Sequence, residues 1–205
     1  MLDDTRRDTR ARIVQTAAQI VRESGPATLT FDRVAARVGV TKQAVLYWFP
    51  NKGRLIEAVV RPTLELEATC GIDAVTGRRR ADAAIRAFVE AVAGFHVSDL
   101  DRFRLMYVAP QIGHGGTRRG QLTTLGQVHP ATTRMHDALA EVLVRTGRHA
   151  KLASARRAAA AIHMAVLGTL MRVAMADHLA EPLGRNDALI SALADVLAPG
   201  GERSA

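Results

Sequence analysis

Apolar residues recur along the chain at helical spacing. Ile13, Ala17, Ile20 and Val21 fall at i, i+4, i+7 and i+8, which predicts a helix over residues 10–24 with one buried face. Residues 1–9 are polar and charged and are expected to be mobile. Gly25-Pro26 closes the first helix. A short second helix over 30–38 follows, with Thr30 as N-cap and Val34, Ala35 and Val38 on one stripe. Gly39 supplies the positive φ that the residue just past a helix often needs. Val40 packs the turn, Thr41 caps a third helix, and Pro50 ends it. Helix, tight turn, helix is the pattern of a helix-turn-helix.

Downstream, Asn51 caps a fourth helix bearing Leu55, Ile56, Val59 and Val60, which runs on through Leu64 and Leu66 towards Cys70. Pro62 inside it predicts a kink or break near Arg61. Residues 71–79 read as a loop. Ala84, Ile85, Phe88, Val89, Val92 and Phe95 predict a helix over 82–97, and another is expected over 99–108. Residues 113–120 form a basic, glycine-rich loop that lacks the strand and spacing of a phosphate cradle. A helix over 130–146 carries Met135, Leu139, Val142 and Leu143, with a helical lead-in from Leu122. The stretch 152–179 is apolar nearly all round, and Asn186 caps a last helix to about residue 197. No alternating β-branched run bounded by turns is present, so the expected fold class is all-α.

Charge narrows the partners. A formal net charge of +8 on 205 residues favours a polyanion. The single cysteine, Cys70, excludes an internal disulfide and suits a reducing cytoplasm. The N-terminus shows no apolar leader, which predicts a cytoplasmic protein. The apolar segment 158–176 is interrupted by His163 and Arg172, which reads as a buried helix and not a membrane span.

The third helix has an unusual outward face. With Val45 and Phe49 turned to the core, Lys42, Gln43, Leu46 and Tyr47 point out, with Trp48 beside them. Lysine and glutamine near the start of a helix, followed by apolar and aromatic groups, suit major-groove edges, thymine methyls and phosphates. Lys52 is placed to reach the sugar-phosphate backbone. Arg6, Arg7, Arg10 and Arg12 form a basic end on the first helix that could touch phosphates.

The run from Thr30 to Leu55 resembles the DNA-binding domain of the tetracycline-repressor (TetR) family of transcriptional regulators. The matching residues are Val34-Ala35, Val38-Gly39-Val40, Thr41-Lys42, Tyr47, Phe49-Pro50 and Lys52 with Leu55. Two positions depart. Family members usually carry Leu-Tyr where this chain has Val45-Leu46, and Trp48 stands where His or Tyr is common. The resemblance implies an N-terminal three-helix DNA-binding unit over 1–56 and a larger helical ligand-binding and dimerisation bundle over 57–205. It implies a homodimeric repressor on a pseudo-palindromic double-stranded operator, released by a small apolar or amphipathic effector. The DNA-binding residues are then Thr30, Thr41, Lys42, Gln43, Ala44, Leu46, Tyr47, Trp48 and Lys52.

The same resemblance implies dimerisation through the last two long helices. Ala161, Ala165 and Gly168, small residues at helical spacing, permit the close approach this needs. Candidate effector-pocket residues are Phe88, Phe95, Phe103, Met106, Tyr107, Met135, His163, Met164, Leu167 and Met171. The histidines 96, 114, 129, 136, 163 and 178 form no HxxxH or HExxH pair, so no metal and no cofactor are expected. No GxSxG, P-loop or dinucleotide fingerprint is present, and an enzyme is not expected. The rival reading is an architectural DNA-binding protein without an inducer. A solid second domain would favour it, and an apolar cavity with one or two buried polar groups would count against it.

Overall fold

The computed structural model describes residues 2–25, 28–108, 129–175 and 186–198. Among these residues the chain is helical and contains no strand. The helices are α1 (Leu2–Ser24), α2 (Phe31–Val38), α3 (Lys42–Trp48), α4 (Lys52–Val75), α5 (Ala81–Val97) and α6 (Leu100–Phe103). A π-helical turn, Arg104–Val108, follows α6, and then come α7 (Pro130–Arg145), α8 (Leu152–Ala174) and α9 (Asn186–Leu197). The chain divides into two compact units. One holds the described residues of 1–63 with the π turn, and the other those of 64–103 and 129–198.

In the first unit, α1 packs on α2 and α2 on α3. Ile13, Ala17, Ile20, Leu29, Val34, Val45, Phe49 and Leu55 form its core, each almost fully buried. The predicted stripes of α1 and α2 therefore face one another. α1 begins at Leu2, eight residues before the predicted start. Once the buried stripe has nucleated a helix, each further residue adds one hydrogen bond without needing burial, so the polar segment is carried into the helix.

In the second unit α5 and α8 are central, packing on each other and on α7 and α9. Phe88, Val89, Val92, Met135, Leu139, Leu143, Ala159, Val166 and Leu170 fill its core. Two expectations on α4 are settled by its extent. Of the kink or break expected near Arg61 there is no break, since the helix runs through Pro62, and the loop expected after Cys70 is corrected, since the helix continues to Val75. Gly71 shows why. A Cβ there would stand 2.7 Å from Met135 Sδ and 3.1 Å from Phe88 Cε2. Packing of the bare backbone against those side chains, with Val75 buried behind it, overrides the poor helix propensity of glycine. The predicted loop at 113–120, the lead-in from Leu122 and the end of the 152–179 helix lie outside the described residues.

Candidate nucleic-acid interface

The turn between α2 and α3 is built as the residues demand. The Thr30 hydroxyl oxygen accepts the Arg33 N–H at 3.2 Å and starts α2. Gly39 ends it at φ 79°, and the N–H groups of Gly39 and Val40 both donate to the Ala35 carbonyl, at 2.9 and 3.0 Å. Thr41 then turns the chain into α3, its hydroxyl oxygen accepting the Ala44 N–H at 3.2 Å. From below, Arg12 donates to the Val38 carbonyl at 2.9 Å. Arg12 thus closes the end of α2, a structural duty beyond the phosphate contact its sequence position suggested.

With Val45 fully buried and Phe49 2% exposed, the opposite side of α3 is presented to solvent. Lys42 and Gln43 are exposed, and Tyr47 is 69% exposed. Ala44, Leu46 and Trp48 are half-buried, and the Tyr47 and Trp48 rings meet edge to face at 5.2 Å. Lys42 Nζ rests 2.9 Å from Asp32 Oδ2, a solvated pair between α3 and α2 that holds the ammonium beside the helix start. Lys52 opens α4, where Asn51 Oδ1 accepts the Arg54 N–H at 3.0 Å. One face of a seven-residue helix thus gathers a cation, an amide, an aliphatic group and an aromatic ring.

Residues 13–59 match the family model described as bacterial regulatory proteins, tetR family. The DNA-binding unit is that of the tetR family. That match gives the chain the DNA-binding unit of a transcriptional regulator. No curated protein sequence matched it. Solved structures similar to this chain include a TetR/AcrR-family transcriptional regulator from Thermobifida fusca YX-ER1, at 23% identity and TM-score 0.58. That likeness covers 96% of this chain and 100% of the other. FadR from Bacillus subtilis, in complex with stearoyl-CoA, is 13% identical with TM-score 0.67, over 93% and 98% of the two chains. A TetR variant from Acinetobacter baumannii AYE in complex with minocycline is 22% identical with TM-score 0.60, over 94% and 97%. At these identities the structural likeness shows a shared fold.

The chain also carries a polar cluster inside its second unit that sequence reading missed. Glu67 on α4 is 1% exposed, and its Oε1 stands 2.9 Å from His96 Nε2 on α5 and 3.2 Å from His163 Nε2 on α8. His163 Nδ1 in turn lies 3.0 Å from His136 Nε2 on α7. Burial alone would push the Glu67 carboxyl up. The hydrogen bonds from His163 and His96 outweigh it and hold the group down at about 2. His136 is lowered to about 4, first by burial and then by His163 beside it. A signal was available: Glu67 and His96 each occupy a position on an otherwise apolar stripe, between Leu64 and Ala68 and after Val92 and Ala93.

The effector candidates fall in different places. Phe88, Phe103, Met135 and His163 are buried in the second unit. Phe95 is half-buried, with the Arg102 guanidinium 4.0 Å over its ring and the same guanidinium donating to the Phe95 carbonyl. Leu167 and Met171 are half-buried, and Met164 faces outward at 45% exposure. Met106 and Tyr107 lie on the π turn that groups with the first unit. The Cys70 thiol donates to the Ala91 carbonyl at 3.5 Å, and burial pushes its pKa up, so it stays protonated.

Proposed function

We propose that this regulator is a homodimeric repressor that binds a pseudo-palindromic operator and leaves it when a small apolar or amphipathic effector binds. The observation that carries the reading is the solvent-facing side of α3, where Lys42, Gln43 and Tyr47 stand on a helix short enough to enter a major groove. Thr30, Thr41, Ala44, Leu46, Trp48 and Lys52 complete the surface, with the first two holding their helices in place and Lys52 set against the backbone. We assign residues 1–56 to DNA binding and 57–205 to effector binding and dimerisation, in the cytoplasm.

Pairing has support on α8 and α9. Ala161, Met164 and Gly168 form an exposed stripe, with open space where a Gly168 Cβ would stand. Val196 on α9 is 76% exposed. α8 is long and apolar enough to cross a membrane by length and composition, but α5, α7 and α9 pack on it and Arg156, Arg157 and Arg172 interrupt it. A second copy fits that face better than lipid.

Effector binding draws support from the fold neighbours seen with stearoyl-CoA and minocycline. We place the effector within the second unit, among Phe88, Phe95, Phe103, Met135, His163, Leu167 and Met171, with the Glu67–His96–His163 cluster orienting its polar end. Met135 is the side chain to yield, being unbranched and flexible. Linkage supplies the test. A coupling of about 1–3 kcal/mol changes DNA affinity by about 5–150-fold, and operator must weaken effector binding by the same factor. Calorimetry of an effector with and without operator reads this, and equal affinities in the two titrations rule release out.

A further inference from the structure

A cleft of about 300 Å³ opens within the first unit beside the C-terminal end of α3. Arg10 of α1 reaches it from one side, Trp48 and Phe49 form part of its wall, and Arg54, Glu57 and Arg61 line it along one face of α4. Its charge is unbalanced. Arg54 Nη1 pairs with Glu57 Oε2 at 3.0 Å, which neutralises one guanidinium. Arg10 and Arg61 have no carboxylate within ion-pair distance among the described residues. The Arg10 guanidinium is instead seated over the Phe49 ring, 5.4 Å from its centroid. Guanidiniums from two helices thus line one concave space whose one carboxylate, Glu57, is already paired with Arg54. A planar guanidinium matches a phosphate oxygen pair, and like charges brought together favour an anion shared between them.

We propose that this cleft is a phosphate-binding site, separate from the outward face of α3, and that it takes a backbone phosphate of the duplex flanking the half-site. The inference rests on the DNA-binding reading. The cleft begins at Trp48, on the recognition helix itself, so a duplex lying against Lys42, Gln43 and Tyr47 carries its backbone past the end of α3 and on to α4. Arg10 and Arg61 then grip the strand beyond Lys52, and the apolar wall at Trp48 and Phe49 accommodates the attached sugar.

Trp48 is the only tryptophan in the chain, so its fluorescence reports the cleft directly. The experiment titrates wild type, Arg61→Ala, Arg61→Lys and the Arg10→Ala/Arg61→Ala double variant with a labelled duplex of random sequence over a range of salt. The expected result is a plot of log K against log salt whose slope is shallower by about 0.9 for each phosphate contact removed. Arg61→Lys keeps the wild-type slope, and Gln43→Ala leaves it unchanged. Trp48 emission shifts with duplex in wild type and much less in the double variant, while circular dichroism shows all variants folded. Wild-type slope and wild-type Trp48 response in the double variant, with Lys52→Ala still lowering the slope, overturn the cleft and leave the DNA-binding reading intact. A wild-type protein that binds no duplex overturns both. Inorganic pyrophosphate shifting Trp48 emission through Arg61 while the duplex slope stays unaltered shows a free phosphate ligand instead, and refutes the duplex assignment.

Discussion

At Thr41 a single hydroxyl holds the first turn of a reading helix only seven residues long. Such a helix is not stable alone, so its cap and its two buried anchors, Val45 and Phe49, set the pose in which Lys42 and Gln43 are offered. Thr41→Ala should cost about 1 kcal/mol of stability in the first unit, read by urea unfolding, and lower operator affinity through a frayed helix start. Gln43→Ala should reduce affinity in a sequence-dependent way, by about 1–3 kcal/mol if the amide makes a good base-edge contact. Lys52→Ala should weaken all sequences alike and flatten the salt dependence by about 0.9 in slope. Identical behaviour of the two variants on operator and random duplex would contradict the division between reading and positioning. Lys42→Ala should fall between the two, since on the proposed reading Asp32 would compete with DNA for the Lys42 ammonium.

At the scale of elements, α4 is where packing and sequence pattern part company. The helix-turn-helix was legible because each of its steps rests on local chemistry: two threonine caps, one glycine at φ 79°, one proline stop. The end of α4 was not, because what keeps residues 71–75 helical is a contact with Met135 and Phe88, far away in sequence. The Glu67 cluster was hidden for the same reason. Its partners come from α5, α7 and α8, and no spacing rule links them. Two substitutions test these contacts. Gly71→Ala should destabilise the second unit by about 1–3 kcal/mol despite alanine's better helix propensity, and Met135→Ala in the same chain should recover part of the loss. A stabilised Gly71→Ala would mean that the backbone contact is loose. Glu67→Ala removes the acceptor of two buried histidines and should cost about 3–5 kcal/mol, with Glu67→Gln milder because its oxygen can still accept.

For the molecule as a whole, the cluster predicts how stability follows pH. The folded-state pKa of His136 is lowered to about 4 from an ordinary 6.5, so the unfolded chain takes up its proton first. That contribution is complete above about pH 6.5 and is lost as pH falls towards 4. Glu67, held at about 2 against an ordinary 4.5, loses its contribution in a lower window, from about 4.5 down to 2. Denaturant unfolding across pH should show both windows, with His136→Asn abolishing the upper and Glu67→Gln the lower. His163, His96 and Asp137 are the neighbours that act on these two groups. The proposed dimerisation belongs to the same scale, because one recognition helix would read one half-site and only a symmetric pair would read two. The most direct measurement is therefore recovery of bound duplexes from a random pool, by wild type and by Gln43→Ala, with the size of each complex determined. The account predicts a pseudo-palindrome with half-sites about one helical turn apart or a multiple of it, bound by an even number of chains, and loss of preference at one symmetry-related pair of positions in the variant. An asymmetric site held by a single chain, or an unchanged consensus in Gln43→Ala, would contradict it.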